Sequence, residues 1–298
     1  MNGFVCVKKP KDITSFIAAA KVRRIFGVKK TGHTGTLDPM ATGVLLVAVG
    51  SATRFIELLP SHDKAYRATF LLGTTTDTLD ITGNVLSQKE VVSTASQVEE
   101  ALKKFSGEIK QLPPMYSAIR KNGVRLYELA RQGIEIEREE REVRIDSIKL
   151  LSSNERVNEY EIEVYCSSGT YIRSLISDIG DELKTGAVMT SLCRIMANGV
   201  SIDECYTFEQ LESLSENGEL HKALLPIEKL LGYPGVTVSE AQARRFSNGG
   251  ELDLIRVRGL SGDGLYNVIS PNGDFLGVGF ADKTAGCLKA RKIMSKNQ

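Results

Sequence analysis

The segment GHTGTLDPMATG, residues 32–43, sets one carboxylate, Asp38, among three glycines, three threonines and a proline. A lone carboxylate can serve as a nucleophile or as a proton acceptor without help from a metal. It then needs a partner that keeps it ionised and aimed, and an arginine does both. Gly32, Gly35 and Gly43 let the backbone approach another molecule or take positive φ. Pro39 fixes its own φ and biases Asp38 toward extended geometry. A plainer reading is structural: Asp-Pro commonly opens a helix, with Asp as the cap and Pro in the first turn. Local sequence leaves both readings open.

Rival chemistries have little to work with. No GxxxxGK[ST] phosphate loop occurs, no GxGxxG follows a strand-like run, and HExxH and GxSxG are absent. Three histidines (33, 62 and 221) and five scattered cysteines without a CxxC argue against a zinc site. The Ser-x-x-Lys at Ser61–Lys64 lacks companion motifs and reads as chance. The odd, dispersed cysteines fit a reduced, cytoplasmic setting. No apolar run approaches the roughly 18 residues of a membrane helix. The N-terminus lacks the apolar core of a signal peptide.

The elements that must carry Asp38 can be read from pattern. GFVCVKK (3–9) and VLLVAV (44–49) read as strands, the second fully buried, so Asp38 stands at the end of a rigid core element. KAYRATFLL (64–72) and YEIEVYC (160–166) alternate as half-buried strands. Ser15 is expected to cap a helix running to Phe26, with Gly27 at its C-terminal stop. Ser51 is expected to cap a short helix ending at Pro60, and Ser93 one ending near Phe105. Thr170 to Leu183 reads as a helix after a Ser-Gly-Thr turn. Many neighbouring strands lack a helix between them. That predicts an α+β fold with a central mixed, largely antiparallel sheet and flanking helices. The pattern changes at GYPG (232–235). SEAQ (239–242) opens a short helix as a capping box, and SGDG (261–264) and PNGD (271–274) are hairpin signals. Residues 1–232 are expected to form one domain and 233–298 a small, β-barrel-like second one.

Net charge is only +1, so the overall balance names no partner. KVRRIFGVKK (21–30) holds five basic residues and no acid, and the tail from Lys283 to Lys296 is also basic. Such faces suit nucleic acid and ordinary solvated helices alike. EIEREEREVR (135–144) reads as a solvated surface run.

Five blocks, in order, resemble the TruB-type tRNA pseudouridine-55 synthases of the standalone bacterial kind. They are KPKDITS (9–15), GHTGTLDPMATGVLLVAVGSATR (32–54), DKAYRATFLLGTTTDTLDITG (63–83), PPMYSAIRKNGVRLYELARQG (113–133) and CSSGTYIRSLISDIG (166–180). The end of the chain resembles the family's small RNA-binding, PUA-type module more loosely. The resemblance implies a pseudouridine synthase fold that works without cofactor or essential metal. It implies isomerisation of uridine 55 in the T-loop of tRNA: the base is flipped out of its stack, the glycosidic bond is broken and the base is rejoined through C5. Assistance to tRNA folding comes with it. The implied partner is the T-arm stem-loop of tRNA, with no membrane, no obligate protein partner and a monomeric state. By this resemblance Asp38 is the catalytic carboxylate and Arg173 its partner, reaching back from a helix's first turn. Tyr66 stacks on the target base and helps to move the last proton. His33 fills the space left by the flipped nucleotide, Tyr171 and Leu192 line the pocket, and Lys9 belongs to the substrate-binding set. Residues 113–145 correspond to an RNA-gripping insertion. Asp77 and Asp80 are read as turn formers before Gly83 rather than as a metal pair or a second carboxylate of the site. Two positions depart from the family pattern: Asp12 stands where glycine is common, and Cys193 where arginine is frequent, with Arg194 beside it. A guide-RNA-dependent synthase and a non-catalytic tRNA-folding protein are the rival readings. The first usually carries extra terminal segments, and the second does not need Asp38, Tyr66 and Arg173 together.

Overall fold

The computed structural model describes residues 1–60, 63–121 and 123–295, so Ser61, His62 and the last lysine of the basic tail lie outside it. Strand β1 (Gly3–Lys9) is followed by helix α1 (Ser15–Ile25), the short β2 (Thr31–His33) and β3 (Thr42–Val49). β1 pairs antiparallel with β3 along the whole length of β1, from Gly3 opposite Val49 to Lys9 opposite Gly43. Val44 to Val49 are completely buried. Leu45, Val47 and Val49 pack on Ala18, Val22 and Phe26 of the α1 side, while Val44, Leu46 and Ala48 pack on Phe55 and Leu231. A strand covered on both faces needs a continuous apolar run, and VLLVAV is one. Each fully buried large apolar side chain contributes roughly 1.5–3 kcal/mol. Asp38 is thus held next to a rigid strand.

Next come β4 (Lys64–Leu72), the hairpin β5 (Thr74–Thr76) and β6 (Val85–Gln88), α2 (Ala95–Lys103) and β7 (Gly107–Gln111). A small ribbon, β8 (Arg120–Lys121) and β9 (Val124–Arg125), leads into α3 (Leu126–Ala130). Then follow β10 (Arg141–Asn154), β11 (Glu159–Cys166), α4 (Ile172–Glu182) and β12 (Ala187–Ala197). The central sheet runs β1-β3-β12-β4-β11-β10-β7, with β2 added to β3. Every neighbour is antiparallel except β3 and β12, which meet in parallel only where Thr42 faces Cys193 and Gly43 faces Arg194. The sheet is therefore mixed and largely antiparallel, as expected. Tyr66, Ala68 and Phe70 of β4 share one core with Tyr160, Ile162 and Val164 of β11, beneath Val98 and Leu102 of α2 and Leu175 and Ile179 of α4. The rings of Phe70 and Tyr160 stack at 5.7 Å.

After β13 (Val200–Ser201), α5 (Phe208–Glu216) and α6 (Ile227–Leu231), the chain builds a second sheet. Its elements are β14 (Gly235–Thr237), α7 (Glu240–Ser247), β15 (Leu252–Asp253), β16 (Gly264–Ile269), β17 (Phe275–Asp282) and β18 (Cys287–Ile293). The order β14-β16-β17-β18-β15 does not close, so it is a half-barrel. Val236, Phe246, Tyr266, Val268 and Leu288 form its own core. Phe275 meets Phe55 edge-on at 5.3 Å, and the Tyr233 hydroxyl donates to Leu58 O, which ties this sheet to the larger one.

Several local expectations shift by a residue or change kind. Thr14, not Ser15, caps α1, accepting from Ile17 N at 3.1 Å. Thr94, not Ser93, caps α2 in a capping box with Gln97. Gly50–Leu58 is a 3-10 helix without a side-chain cap, so Ser51 has no such role. Asp38-Pro39 opens no helix: Ala41 N donates to Asp38 O at 3.0 Å and closes a turn. PNGD joins the paired strands β16 and β17, whereas SGDG leads into β16 from a segment that pairs elsewhere.

Candidate active site

The loop bearing Asp38 is clamped from two sides. Ser15, the first residue of α1, accepts from Leu37 N at 2.8 Å and donates to Leu37 O at 3.1 Å. At the end of β1, the Lys9 ammonium donates to Pro10 O, Ile13 O and Pro39 O at 2.9, 2.7 and 3.2 Å. Lys9 is 1% exposed, and all three of its N–H groups are taken by carbonyls. The substrate-binding role expected for Lys9 therefore gives way to a positioning one, because no donor is left to reach outward. Asp12 takes φ +67° and gives its N–H to Pro39 O at 2.8 Å. The left-handed turn where glycine is common survives, since Asp tolerates this region better than most residues.

Arg173, the second residue of α4, is 6% exposed and sits at the centre of the site. Its Nη2 lies 3.0 Å from Asp38 Oδ2 and donates to Tyr116 O at 2.8 Å. Its Nη1 donates to Thr78 O at 3.0 Å and lies 3.5 Å from Asp80 Oδ2. The planar fork is held by two carboxylates and two carbonyls, a geometry that lysine could not copy. Asp38 keeps 36% of its side chain open to solvent. Its carboxyl is nevertheless raised above the usual range, by desolvation first, with the pull of Arg173 opposing it and the charge of Asp80 adding to it.

Asp80 is the residue that spacing missed. As expected, it makes a turn: Oδ1 accepts from Thr78 Oγ1, Thr82 N and Thr82 Oγ1. Yet Oδ2 is aimed at Arg173, and the side chain is buried. Backbone pairing of Leu79 and Ile81 with Met189 of β12 brings this turn under α4. Asp77 has the turn role alone, bonded to Asn84. The only signal in the sequence for Asp80 was a run of threonines that could saturate one carboxylate oxygen and leave the other free.

Tyr66 is 7% exposed on the α4-facing side of β4, where burial raises its hydroxyl and the charges of Asp38 and Arg194 both act on it. The main chain of Tyr171 exchanges two bonds with the Gln111 amide, at 2.7 and 3.0 Å, which fixes the start of α4. Burial also raises its hydroxyl, and the charge of Asp38 reaches it. Leu192 is 8% exposed in the same core as Tyr66 and Leu37. His33, half-buried on β2, has Nε2 3.2 Å from Thr36 Oγ1. Burial and the positive charge of Arg194 hold its imidazole below the usual range, which favours the neutral ring. Arg194 is 2% exposed and donates to Val44 O and Gly35 O. It braces the glycine loop from within, so the arginine next to Cys193 is a structural contact. Among the described residues no three His, Cys, Asp or Glu side chains gather to hold a metal. In the charged run, Arg138 bonds Pro113 O and Glu135, and Arg144 pairs with Asp63 and Asp146.

Comparison with known proteins completes the picture. Residues 23–172 match the model of the TruB family pseudouridylate synthase N-terminal domain. Residues 173–232 match the tRNA pseudouridylate synthase B C-terminal domain, and 234–292 the pseudouridine synthase II TruB C-terminal model. The chain is 42% identical over 290 residues to tRNA pseudouridine synthase B of Clostridium perfringens strain 13, covering 95% of this chain and 96% of that one. It is 38% identical over 293 residues to the protein of the same name from Escherichia coli O1:K1, covering 95% and 92%. Among solved structures, a chain of a Cbf5-Nop10-Gar1 complex superposes with TM-score 0.72 at 24% identity, covering 98% of this chain and 85% of that one. At that identity the superposition speaks for the fold alone.

Proposed function

The chain belongs to the TruB family of pseudouridylate synthases, isomerases of RNA uridine, and from there we propose that it converts uridine 55 in the T-loop of tRNA to pseudouridine. The support that weighs most is the buried Arg173 fork, which presents the half-open Asp38 carboxylate at 3.0 Å and is itself anchored by Asp80 at 3.5 Å. A flipped uridine enters beside Asp38 and Tyr66, with its ribose toward the carboxylate. Asp38 acts in its ionised form, either adding to C1′ or taking a proton from C2′. The N1–C1′ bond breaks, the base turns, and C5 bonds to C1′. The proton on C5 is then lost and one returns to N1, with Tyr66 beside the base. Tyr171 and Leu192 wall the pocket, and His33 occupies the gap left in the loop. Residues 1–232 carry this chemistry, 233–298 add a PUA-like RNA grip, and a monomer suffices with tRNA as the only partner. The setting is the cytoplasm; no helix among the described residues is long and apolar enough to cross a membrane.

The test is positional. An unmodified tRNA transcript is incubated with the protein, treated with carbodiimide and read by primer extension. One stop at the T-loop uridine is the expected result. Stops elsewhere, or stops that need an added guide RNA, would contradict the assignment.

A further inference from the structure

Lys64 opens β4 two residues before Tyr66, on the same face of the strand and so about 7 Å along it. It is half-buried, and no carboxylate or hydrogen-bond acceptor among the described residues meets its ammonium. The acid next to it in sequence, Asp63, is engaged by Arg144 at 3.0 Å. The strongest charge acting on Lys64 is of like sign: Arg194, behind it, joins burial in lowering its pKa, and only the Cys166 thiol works the other way. The two cations converge on one spot. A Cβ added to Gly35 would stand 3.5 Å from Arg194 Nη1 and 3.9 Å from Lys64 Nζ. Gly35 lies three residues before Asp38 in the glycine loop. Arg194 is bound to Val44 O and Gly35 O and cannot move away. Withdrawing an unpaired ammonium from water beside a second cation is unfavourable unless an anion comes to it.

Resting on the uridine-isomerising reading, we infer that Lys64 binds a phosphodiester of the RNA, one of the two that flank the uridine held at Asp38. RNA brings such groups wherever it brings a base, and contacts to them set register rather than sequence. Lys64 and Tyr66 are spaced along one strand so that the ammonium takes the backbone while the ring takes the base. Because the ammonium is half-buried and Arg194 adds its field, this contact is worth more than one made by a solvated surface lysine.

The test pairs each partner with its removal. A T-arm stem-loop RNA is made with natural linkages, and again with a single uncharged methylphosphonate on the 5′ or the 3′ side of the target uridine. Binding of each RNA is measured with the wild-type protein, Lys64→Met and Lys64→Arg. One of the two neutral linkages is expected to weaken wild-type binding about ten- to a hundredfold. The same linkage should cost Lys64→Met less than about threefold, because its partner is already gone. Lys64→Met should also show a log–log salt slope smaller by about one, and Lys64→Arg should behave like wild type. Equal penalties in wild type and Lys64→Met at both linkages would overturn the assignment. So would a wild-type protein indifferent to both neutral linkages, a result that requires no variant to fold. Tritium release from the natural RNA is scored in parallel. Coupling without release would sink the isomerase reading and leave the phosphate contact standing.

Discussion

Asp80→Asn tests the site through a residue that does not touch the substrate. The side chain is isosteric, and Oδ1 can go on accepting from Thr78 and Thr82. What changes is the face toward Arg173, where an amide N–H donor replaces a carboxylate oxygen at 3.5 Å from Nη1. At an effective dielectric near 20, the lost attraction at that distance is about 5 kcal/mol gross. Much of it is offset, because the buried carboxylate no longer has to be desolvated. A net loss of roughly 1–3 kcal/mol in the hold on Arg173 remains, equivalent to about 5- to 150-fold in the rate of the chemical step. A second effect has a definite sign. The negative charge of Asp80 helps to raise the Asp38 carboxyl, so its removal lets that carboxyl ionise at lower pH. Single-turnover tritium release across pH reads both effects. The plateau should fall, and the acid limb should move to lower pH. In an Arg173→Ala background the same substitution should change little, since the group it acts through is gone. A plateau within twofold of wild type with an unmoved acid limb, or penalties that multiply independently in the double variant, would refute this reasoning.

Two further outcomes concern the scaffold. Gly43 has φ +102°, and a Cβ there would overlap the Arg194 backbone, standing 2.8 Å from its N, in the parallel contact of β3 with β12. Gly43→Ala should therefore cost about 2–5 kcal/mol of stability in urea unfolding; a loss under about 0.5 would contradict the close approach. In the fold the Asp178 carboxyl is pushed up to about 6, by burial first and by Asp181 second. The folded chain keeps a proton that the unfolded chain has released, so the penalty is fully present above about pH 6 and fades as pH falls toward the unfolded value. Asp178→Asn should thus raise stability near pH 7.5 by about 1 kcal/mol, discounted for partial exposure, and leave it unchanged near pH 3.5. A gain equal at both pH values would point to another cause.

Much of this was legible from residue patterns, and the exceptions have physical reasons. Alternation or unbroken apolar character marked β1, β3, β4 and β11, because each face of those strands has one fixed environment. Cap choice between Thr14 and Ser15 was not legible. Both residues can cap, and only the loop at Leu37, brought in from elsewhere, turns Ser15 inward. Lys9 looked available to a ligand because the carbonyl of Pro39, 30 residues away, cannot be seen from the local motif. Asp80 was correctly read as a turn former, and that reading hid its second oxygen. Its partner Arg173 lies 93 positions on, in a helix whose start is set by a Gln111 bond from a third segment. Lys64 stood out in the sequence only as the end of a chance Ser-x-x-Lys, since a missing counter-ion is a property of the assembled site.

The measurement to make first uses a tRNA transcript carrying tritium at uridine C5, incubated with the wild-type protein and with Asp38→Asn. Moving the base from N1 to C5 must expel the C5 hydrogen, so released tritium counts the reaction itself. The expected result is release by wild type and none above background by Asp38→Asn, with both proteins binding the tRNA. Release by Asp38→Asn at a rate near wild type would show that the carboxylate at the end of the Arg173 fork is not the reacting group.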